Sequence, residues 1–206
     1  MNKIILIGGG GHSASCIDVI ESEKIYSISG IIDNDIPKGE LIEGYPVIGN
    51  DSDLENLKIN NLNFLIAIGQ IKSSTVRVSA FSNLKNLGAI FPFIISPSAY
   101  FSKGASIEEG SIVMHGAVIN RNASIGKNCI INSNALIEHD VQISSHCHIS
   151  TGSIVNGGTA IGDGTFIGSG SVIREGISVG KNVVIGAGQV ILSDIADNLT
   201  IKKSYS

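Results

Sequence analysis

Between Ala99 and Asp194 the hydrophobic and polar positions of the chain repeat every six residues, with no insertion or deletion. The third place of each of the sixteen blocks, from Phe101 to Ile191, holds a large apolar residue, and the first place is mostly small. Glycine, asparagine, aspartate and serine recur in the last three places. Such a period fits neither a helix nor a simple alternation. It predicts a β-helix in which each block supplies one short strand and one turn.

Three blocks would close one coil of 18 residues, so each third-place side chain would point into the shaft and stack on its equivalents 18 residues away. The repeats then make about five coils, which is enough to bury a continuous core of β-branched side chains. An antiparallel β-sandwich is the alternative architecture. Unbroken registration over sixteen blocks argues against it.

The residues before the repeats follow a pattern of buried strands and helices. Predicted strands lie at Lys3–Ile7, Tyr26–Ile32, Asn63–Gly69 and Ala89–Ile95, and predicted helices include Cys16–Ile20, a short one near Asp51–Leu57, and Ser73–Leu87. Pro97 marks the join to the repeats. We therefore expect an α/β domain over residues 1–96 and a β-helix domain over residues 97–206.

A glycine-rich turn, Gly8–His12, joins the first predicted strand to the first helix. It offers free backbone N–H groups and the positive end of a helix dipole, which suit a phosphate, with Gly9, Gly10, Gly11 and His12 as candidates. Asp33, Asn34 and Asp35 follow the second strand, where an acid bonds a ribose or a base edge. A purely structural turn stays open as an alternative. The unit is too small for a complete dinucleotide domain, so a mononucleotide fits better than NAD.

Composition narrows the class of partner. The net charge of −4 argues against nucleic-acid binding, and no apolar run is long enough to span a membrane. The N-terminus lacks the features of a signal peptide, so we expect a cytoplasmic protein. Cys129 and Cys147 occupy small first places one coil apart, as buried thiols. A metal site there with His146 or His148 is an alternative that no C-x-x-C spacing supports, so we predict no metal.

His139 is the candidate for acid–base chemistry, since it lies between two carboxylates, Glu138 and Asp140. The stacked position one coil on is Gly157, so an imidazole would adjoin a bare backbone N–H. A base beside an oxyanion donor suits acyl transfer, and either carboxylate could orient the ring. His148 lies half a coil past His139 and faces another side, so the two would meet only across a subunit boundary. Taken alone, His115, His146 and His148 are typical of exposed turns.

The chain resembles the hexapeptide-repeat, left-handed β-helix acyltransferases that carry an N-terminal Rossmann-like nucleotide domain. In particular it is similar to the bacterial group that contains sialic acid O-acetyltransferases and N-acetyltransferases of nucleotide-linked 4-amino-sugars. The resemblance covers nearly the whole chain. It rests on Gly8–His12, Asp33–Asp35, Ile137–Asp140 and His148–Ser150.

The resemblance implies a homotrimer with active sites between subunits, acetyl-CoA along the shaft and a nucleotide sugar in the small domain. His139 would be the general base, Asp140 its orienting carboxylate, and Gly157 the N–H donor to the acetyl carbonyl. Gly69 and Asn132 would join the glycine turn and Asp33–Asp35 in binding substrate. The implied contacts to acetyl-CoA are His148, Gly157, Gly168, Gly186 and Ala187. The chain departs from the family after Asp194, where the usual cap and basic helix are replaced by a segment containing Lys202 and Lys203.

The expected function is therefore acetyl-CoA-dependent N-acetylation of a UDP- or dTDP-linked amino-sugar for surface glycan biosynthesis. O-acetylation of sialic acid or another sugar stays open, because an amine and a hydroxyl acceptor both need a base and an oxyanion donor. A non-catalytic β-helix used for assembly or nucleotide sensing is the alternative from another class. An NAD-binding oxidoreductase is favoured only by the glycine turn.

Overall fold

The structure is a computed structural model that describes residues 1–56, 59 and 62–202. The N-terminal unit consists of β1 (Asn2–Ile7), α1 (Gly11–Glu23), β2 (Tyr26–Ile32), β3 (Leu41–Ile42), β4 (Tyr45–Gly49), a 3-10 helix (Asp51–Asn56), β5 (Asn63–Ile66) and α2 (Thr75–Asn86). Apart from the predicted strand at Ala89–Ile95, the predicted strands and helices are present with shifts of a few residues at their ends. The sequence pattern missed the β3–β4 hairpin, and Leu57, the predicted end of the short helix, lies outside the described residues.

The five strands form one sheet in the order β3-β4-β2-β1-β5, parallel except for the β3–β4 pair. Successive side chains of β1 point to opposite faces, as a strand requires. Ile4 and Leu6 pack with α1, whereas Ile5 and Ile7 pack with α2 residues such as Phe81. The unit is thus a small layered α/β sheet with a helix against each face.

Each of the sixteen blocks forms one two-residue strand, and one further strand precedes the blocks and one follows them. These strands are β6 (Ile94–Ile95), β7 (Tyr100–Phe101), β8 (Ser106–Ile107), β9 (Ile112–Val113), β10 (Val118–Ile119), β11 (Ser124–Ile125), β12 (Ile130–Ile131), β13 (Leu136–Ile137), β14 (Gln142–Ile143), β15 (His148–Ile149), β16 (Ile154–Val155), β17 (Ala160–Ile161), β18 (Phe166–Ile167), β19 (Val172–Ile173), β20 (Ser178–Val179), β21 (Val184–Ile185), β22 (Val190–Ile191) and β23 (Thr200–Ile201). They build three parallel sheets of six, five and seven strands.

The register of these sheets confirms the coil of 18 residues. Ile119 pairs with Ile137, Ile137 with Val155, and Val155 with Ile173. The third-place residues form a single buried column along the shaft, with the first-place alanines and cysteines filling the space between them. The predicted fold class, an α/β Rossmann-like unit followed by a left-handed parallel β-helix, is confirmed.

The expected strand over Ala89–Ile95 is divided in the structure. Ile90 forms an isolated bridge with Asn63 beside the N-terminal sheet, whereas Ile94–Ile95 pairs with β9 in the seven-stranded sheet of the β-helix. Pro92, which lacks an N–H donor, lies between the two segments and prevents a continuous ladder. The domain division at residues 96 and 97 stays a prediction.

The three sheets differ in what covers their outer sides. The seven-stranded sheet is covered by the N-terminal unit, because its outward residues Ile112 and Ile130 are buried with Cys16 and Ile20 of α1. The five-stranded sheet turns mainly polar residues outward. The six-stranded sheet turns outward a ladder of apolar side chains, which we name the apolar face: Tyr100, Val118, Leu136, Ile154, Val172 and Val190.

Candidate functional site

The glycine turn places the N-terminus of α1 at the rim of an open space. Gly10 is the N-cap residue and has no side chain to satisfy the first N–H groups of the helix. A side-chain carbon built on Gly10 or Gly11 would meet no other atom within 4 Å. Neither glycine is therefore required by packing. Their bare backbone and the positive end of the helix dipole are available to an anion.

Asp33 clamps this turn in place. Its carboxylate accepts hydrogen bonds from the backbone N–H groups of Gly9 (2.7 Å), Asp35 (2.8 Å) and Ile36 (3.0 Å). Burial opposes ionisation of the carboxyl group, but the three donors outweigh it and lower the pKa of Asp33. Asp33 thus holds the loop as an anion, and the N–H of Gly9 is already engaged. Their predicted contacts with substrate stay predictions.

A cavity of about 930 Å³ opens between the glycine turn and the β-helix. It brings together most of the predicted substrate residues from the N-terminal unit with two residues of the β-helix. These residues are Gly10, Gly11, His12, Asp33, Asn34, Asp35, Gly69, Asn132 and His148. A single cavity thus joins the predicted nucleotide site to the seven-stranded sheet.

Asn34 and Asp51, which both line the cavity, are hydrogen-bonded to each other. The Asn34 side chain donates to the Asp51 carboxylate at 2.8 Å and accepts the Asp51 backbone N–H at 3.0 Å. The reciprocal pair ties the loop after β2 to the 3-10 helix. Sequence reasoning did not single out Asp51, because its partner lies 17 residues away.

His148 is buried between the two domains, with 7% of its surface exposed. Its Nδ1 lies 2.7 Å from the main-chain oxygen of Gln70, and its Nε2 lies 3.1 Å from Nδ2 of Asn132. Burial is the largest cause that lowers the pKa of His148, to about 4, so the ring is neutral at physiological pH. The side chain belongs to the cavity wall. Its predicted contact with acetyl-CoA stays a prediction.

Arg77 of α2 is a fully buried cation that the sequence analysis did not identify. Its guanidinium donates to the backbone oxygens of Ile66 and Ile68 in the N-terminal unit, and to the backbone and side-chain oxygens of Asn128 in the β-helix. Burial lowers the pKa of Arg77 to about 10, which leaves it charged. It therefore fastens the two domains together beside the cavity.

His12 extends from the first turn of α1 towards Cys16 and His148. Burial, followed by the charge of Arg77, lowers the pKa of His12 to about 3. Its Nε2 lies 3.4 Å from the Cys16 sulfur, and burial raises the pKa of that thiol to about 12. His12 therefore lines the cavity as a neutral ring.

His139 lies outside this cavity, in an exposed turn between the six- and five-stranded sheets. Its Nδ1 lies 2.8 Å from Oδ2 of Asp140, whose Oδ1 accepts a hydrogen bond from Asn122. These hydrogen bonds, with His139 first, lower the pKa of Asp140. Glu138 instead accepts a hydrogen bond from Asn120. Of the two carboxylates considered, Asp140 is therefore the one that contacts the ring.

Gly157 stacks directly on His139. A side-chain carbon at Gly157 would lie 2.7 Å from Cε1 and 2.8 Å from Nε2 of the imidazole. Within the described part of the chain, the Gly157 N–H donates no hydrogen bond. The structure thus brings together His139, Asp140 and Gly157, and the His139 side chain is 67% exposed. This arrangement offers a base and a hydrogen-bond donor side by side.

Gly168, Gly186 and Ala187 lie at a different corner of the shaft, between the seven- and six-stranded sheets. A side chain on Gly168 would collide with the backbone of Gly186 and Ala187 at about 2.5 Å. The corner is therefore a smooth strip of backbone, which suits a thin chain such as a pantetheine arm. It continues the column of Asn132, and lies on the other side of the apolar face from His139.

The three cysteines and Lys202 are not part of the cavity lining. Cys129 and Cys147 are buried free thiols inside the shaft, and Cys16 is also free. Over residues 1–56, 59 and 62–202, no three His, Cys, Asp or Glu side chains are arranged to hold a metal ion. Lys202 is exposed at the end of the shaft, and Lys203 lies outside the described residues. No helix in the described part of the chain is long and apolar enough to cross a bilayer.

Two family models match the sequence. The PglD N-terminal domain matches residues 3–82, and the hexapeptide repeat of succinyl-transferase matches residues 122–156 and 158–193. The two matches fall on the two parts of the fold described above. A comparison with curated proteins finds no match.

Solved structures of similar fold include three that cover 97% of this chain. Perosamine N-acetyltransferase from Caulobacter crescentus, a histidine-to-asparagine variant in complex with CoA and GDP-perosamine, is 29% identical, is covered over 93% of its length and has a TM-score of 0.90. The acetyltransferase domain of PglB from Neisseria gonorrhoeae, in complex with acetyl coenzyme A, is 32% identical with 96% coverage and a TM-score of 0.88. WeeI from Acinetobacter baumannii is 23% identical with 96% coverage and a TM-score of 0.81, which shows the shared fold.

Proposed function

This chain belongs to the hexapeptide-repeat, left-handed β-helix acetyltransferases with a PglD-type N-terminal domain, and we propose that it N-acetylates a nucleotide-linked amino-sugar with acetyl-CoA. Two relatives of known structure, from Caulobacter crescentus and Neisseria gonorrhoeae, are acetyltransferases crystallised with CoA or acetyl-CoA. The observation that carries the proposal is the cavity of about 930 Å³ that joins the α1 N-terminus to Asn132 and His148. A nucleotide-linked sugar has the length and the charge to occupy it.

The N-terminal unit would hold the nucleotide. The diphosphate would lie on the N–H groups of Gly10, Gly11 and His12, where the helix dipole favours negative charge. The nucleoside would extend towards the loops of Asp35 and Asp51, which lie on the same wall. The sugar would then lie at the β-helix end of the cavity, beside Asn132.

The apolar face supports the proposed homotrimer. Tyr100 and Val190, at its two ends, are 58% and 63% exposed in the single chain, and the ladder between them is apolar throughout. A continuous apolar strip of this kind marks an interaction surface. Packing of three apolar faces around a threefold axis would bury it, and the contacts would be heterologous, with one flank of each copy against the opposite flank of the next.

The residues proposed to bind substrate and acetyl-CoA and the residues proposed to act in catalysis lie on opposite flanks of the apolar face. One flank is the corner of Asn132, Gly168 and Gly186, and the other is the corner of His139 and Gly157. In the threefold arrangement, His139 of one subunit would therefore lie opposite the cavity of its neighbour. It would also create a cleft along the shaft, lined by both glycine corners, in which the pantetheine of acetyl-CoA would lie.

In the proposed reaction the sugar amine attacks the thioester carbonyl of acetyl-CoA. His139 takes the amine proton through Nε2, while Asp140 on Nδ1 fixes the tautomer and stabilises the imidazolium. The Gly157 N–H donates to the developing oxyanion. The C–S bond then breaks, CoA leaves as the thiol with the proton, and the acetamido sugar is formed. We place the enzyme in the cytoplasm, a reducing compartment that suits its three free cysteines.

A thiol-release assay tests the function directly. Purified protein is incubated with acetyl-CoA and a panel of UDP-, dTDP- and GDP-linked amino-sugars, with CMP-sialic acid as the hydroxyl acceptor. We expect thiol release with an amino-sugar nucleotide, and a fall in turnover of roughly 10²-fold or more in His139→Ala. Release only with sialic acid would establish O-acetylation instead. The absence of release with every acceptor, or unchanged turnover in His139→Ala, would contradict the proposed mechanism.

A further inference from the structure

We propose that His148 is a positioning residue that fixes the Asn132 amide so that it presents an N–H donor to the cavity. The N-terminal unit controls this direction through Gln70. The inference rests on the proposed function only for the identity of the ligand. The arrangement of the three residues is independent of it.

The hydrogen-bond chemistry of His148 allows one protonation state. A main-chain oxygen only accepts hydrogen bonds, so the Nδ1 that lies 2.7 Å from Gln70 O carries the proton. In a neutral ring Nε2 then bears a lone pair and is an acceptor. The atom of Asn132 at 3.1 Å from Nε2 is therefore its amide nitrogen.

A second contact fixes the same orientation of the Asn132 amide. Its Oδ1 accepts the backbone N–H of Ser133 at 2.7 Å. Reversal of the amide would direct Nδ2 at the Ser133 donor and Oδ1 at the His148 lone pair, so two hydrogen bonds would become two repulsions. The remaining N–H of Asn132 has no partner among the described residues, and Asn132 lines the cavity.

The ring of His148 is itself held firmly. Phe166, one coil further on, contacts it edge to face at 5.2 Å between ring centres. Gln70 is 2% exposed, and its side chain donates to Gly164 O at 3.0 Å, so the carbonyl that faces His148 is anchored to the β-helix. Arg77 binds the oxygens of Ile66 and Ile68 just before Gln70. The docked N-terminal unit thus fixes which way the side-chain amide of Asn132, a residue of the β-helix, is oriented.

The orientation of Asn132 requires that the substrate present a hydrogen-bond acceptor to its free N–H. A donor N–H from Asn132 suits an oxygen of the acceptor sugar, such as a hydroxyl, and it repels an ammonium group. Asn132 would bind the sugar through an oxygen, because an N–H donated to the neutral amine would occupy the lone pair that attacks acetyl-CoA. His148 would act through Asn132 and would not contact acetyl-CoA.

A double-mutant cycle tests this relay. His148→Asn removes the acceptor that faces Asn132, whereas the longer His148→Gln retains an acceptor at about the place of Nε2. We expect His148→Asn and Asn132→Ala each to lower kcat/KM for the sugar nucleotide about tenfold, with KM for acetyl-CoA unchanged. His148→Gln should retain most of the activity. In the Asn132→Ala background, His148→Asn should cost less than about twofold more.

Equal losses from His148→Asn in both backgrounds, or a raised KM for acetyl-CoA, would overturn the relay. The ring tautomer provides a readout that does not need activity or a stable variant. In a ¹⁵N–¹H correlation spectrum of histidine-labelled wild-type protein, the buried His148 should show a protonated Nδ1 and an unprotonated Nε2. A protonated Nε2 would overturn the inference. An inactive wild type with the expected tautomer would instead contradict only the proposed function.

Discussion

The imidazole of His139 lies against the α-carbon of Gly157, one coil further along the shaft, with room for a hydrogen atom and none for a methyl group. A side-chain carbon at residue 157 would fall within 2.8 Å of both Cε1 and Nε2. The spacing follows from the 18-residue coil. The imidazole and the N–H beside it are therefore positioned by the same repeat that builds the core.

Gly157→Ala should therefore displace the His139 ring. Gly157 is not in the left-handed region of backbone space, so alanine is compatible with the turn itself and the fold should persist. We expect turnover to fall by about 10- to 100-fold, with little change in Tm. The control is the same change in the His139→Ala background, where it should cost almost nothing. An equal loss in both backgrounds would mean that Gly157 acts independently of His139.

Asp140→Asn tests the carboxylate on Nδ1 of His139. Asp140 has a φ of +60°, a conformation that asparagine tolerates, so the turn should keep its shape. Loss of the negative charge should lower kcat by about tenfold, because the imidazolium formed during proton transfer loses its partner. Glu138→Gln is the matched control and should have a small effect, since Glu138 contacts Asn120 instead. Similar losses in both variants would contradict the assignment of Asp140.

Arg77→Met should destabilise the fold through the domain contact. The substitution leaves the buried oxygens of Ile66, Ile68 and Asn128 without their donor. We expect a loss of about 3 kcal/mol or more in urea unfolding, since each orphaned acceptor costs about 1–3 kcal/mol. Lys85→Met on the same helix removes an exposed ion pair with Glu109 and should cost less than about 1 kcal/mol. Equal effects would show that Arg77 does not fasten the domains.

Acid should destabilise the protein through His12 and His148. Their pKa values are lowered to about 3 and about 4, so between these values and about 6.5 the unfolded chain binds more protons than the folded one. The stability that depends on these two neutral histidines should therefore be fully present above about pH 6.5. It should decline as the pH falls, by up to about 1.4 kcal/mol per pH unit for each histidine. Urea titrations at several pH values measure this slope. It should be shallower in His12→Gln, and an unchanged slope in that variant would refute the account.

The repeat made much of this fold readable from the sequence. Sixteen blocks without an insertion fix the strands, the inward column and the stacking of His139 on Gly157, because every contact is either local or 18 residues away. The glycine turn and Asp33 after β2 could also be predicted, because each is marked by a short local sequence. The cavity, however, depends on how the two domains dock. No local pattern encodes that relation.

Two contacts that the sequence did not reveal, those of Arg77 and of His148, belong to this docking. Arg77 meets Asn128 across 51 residues, and His148 meets Gln70 across 78. His148 has the hydropathy of an exposed turn residue, yet the N-terminal unit covers it. The signal that was available is the set of outward apolar residues on its sheet, Ile112, Ile130 and Phe166, which indicates that this side of the shaft is covered.

Complementation between two inactive subunits is the most direct measurement of a site shared between copies. His139→Ala lacks the proposed base, whereas Gly10→Trp places a large side chain in the cavity at a position where a side-chain carbon meets no neighbour. Co-expressed in equal amounts, the two variants should form mixed trimers in which one site in about four combines an intact His139 with an intact cavity of the next subunit. We predict about one quarter of wild-type turnover. Mixed trimers without activity would contradict the account.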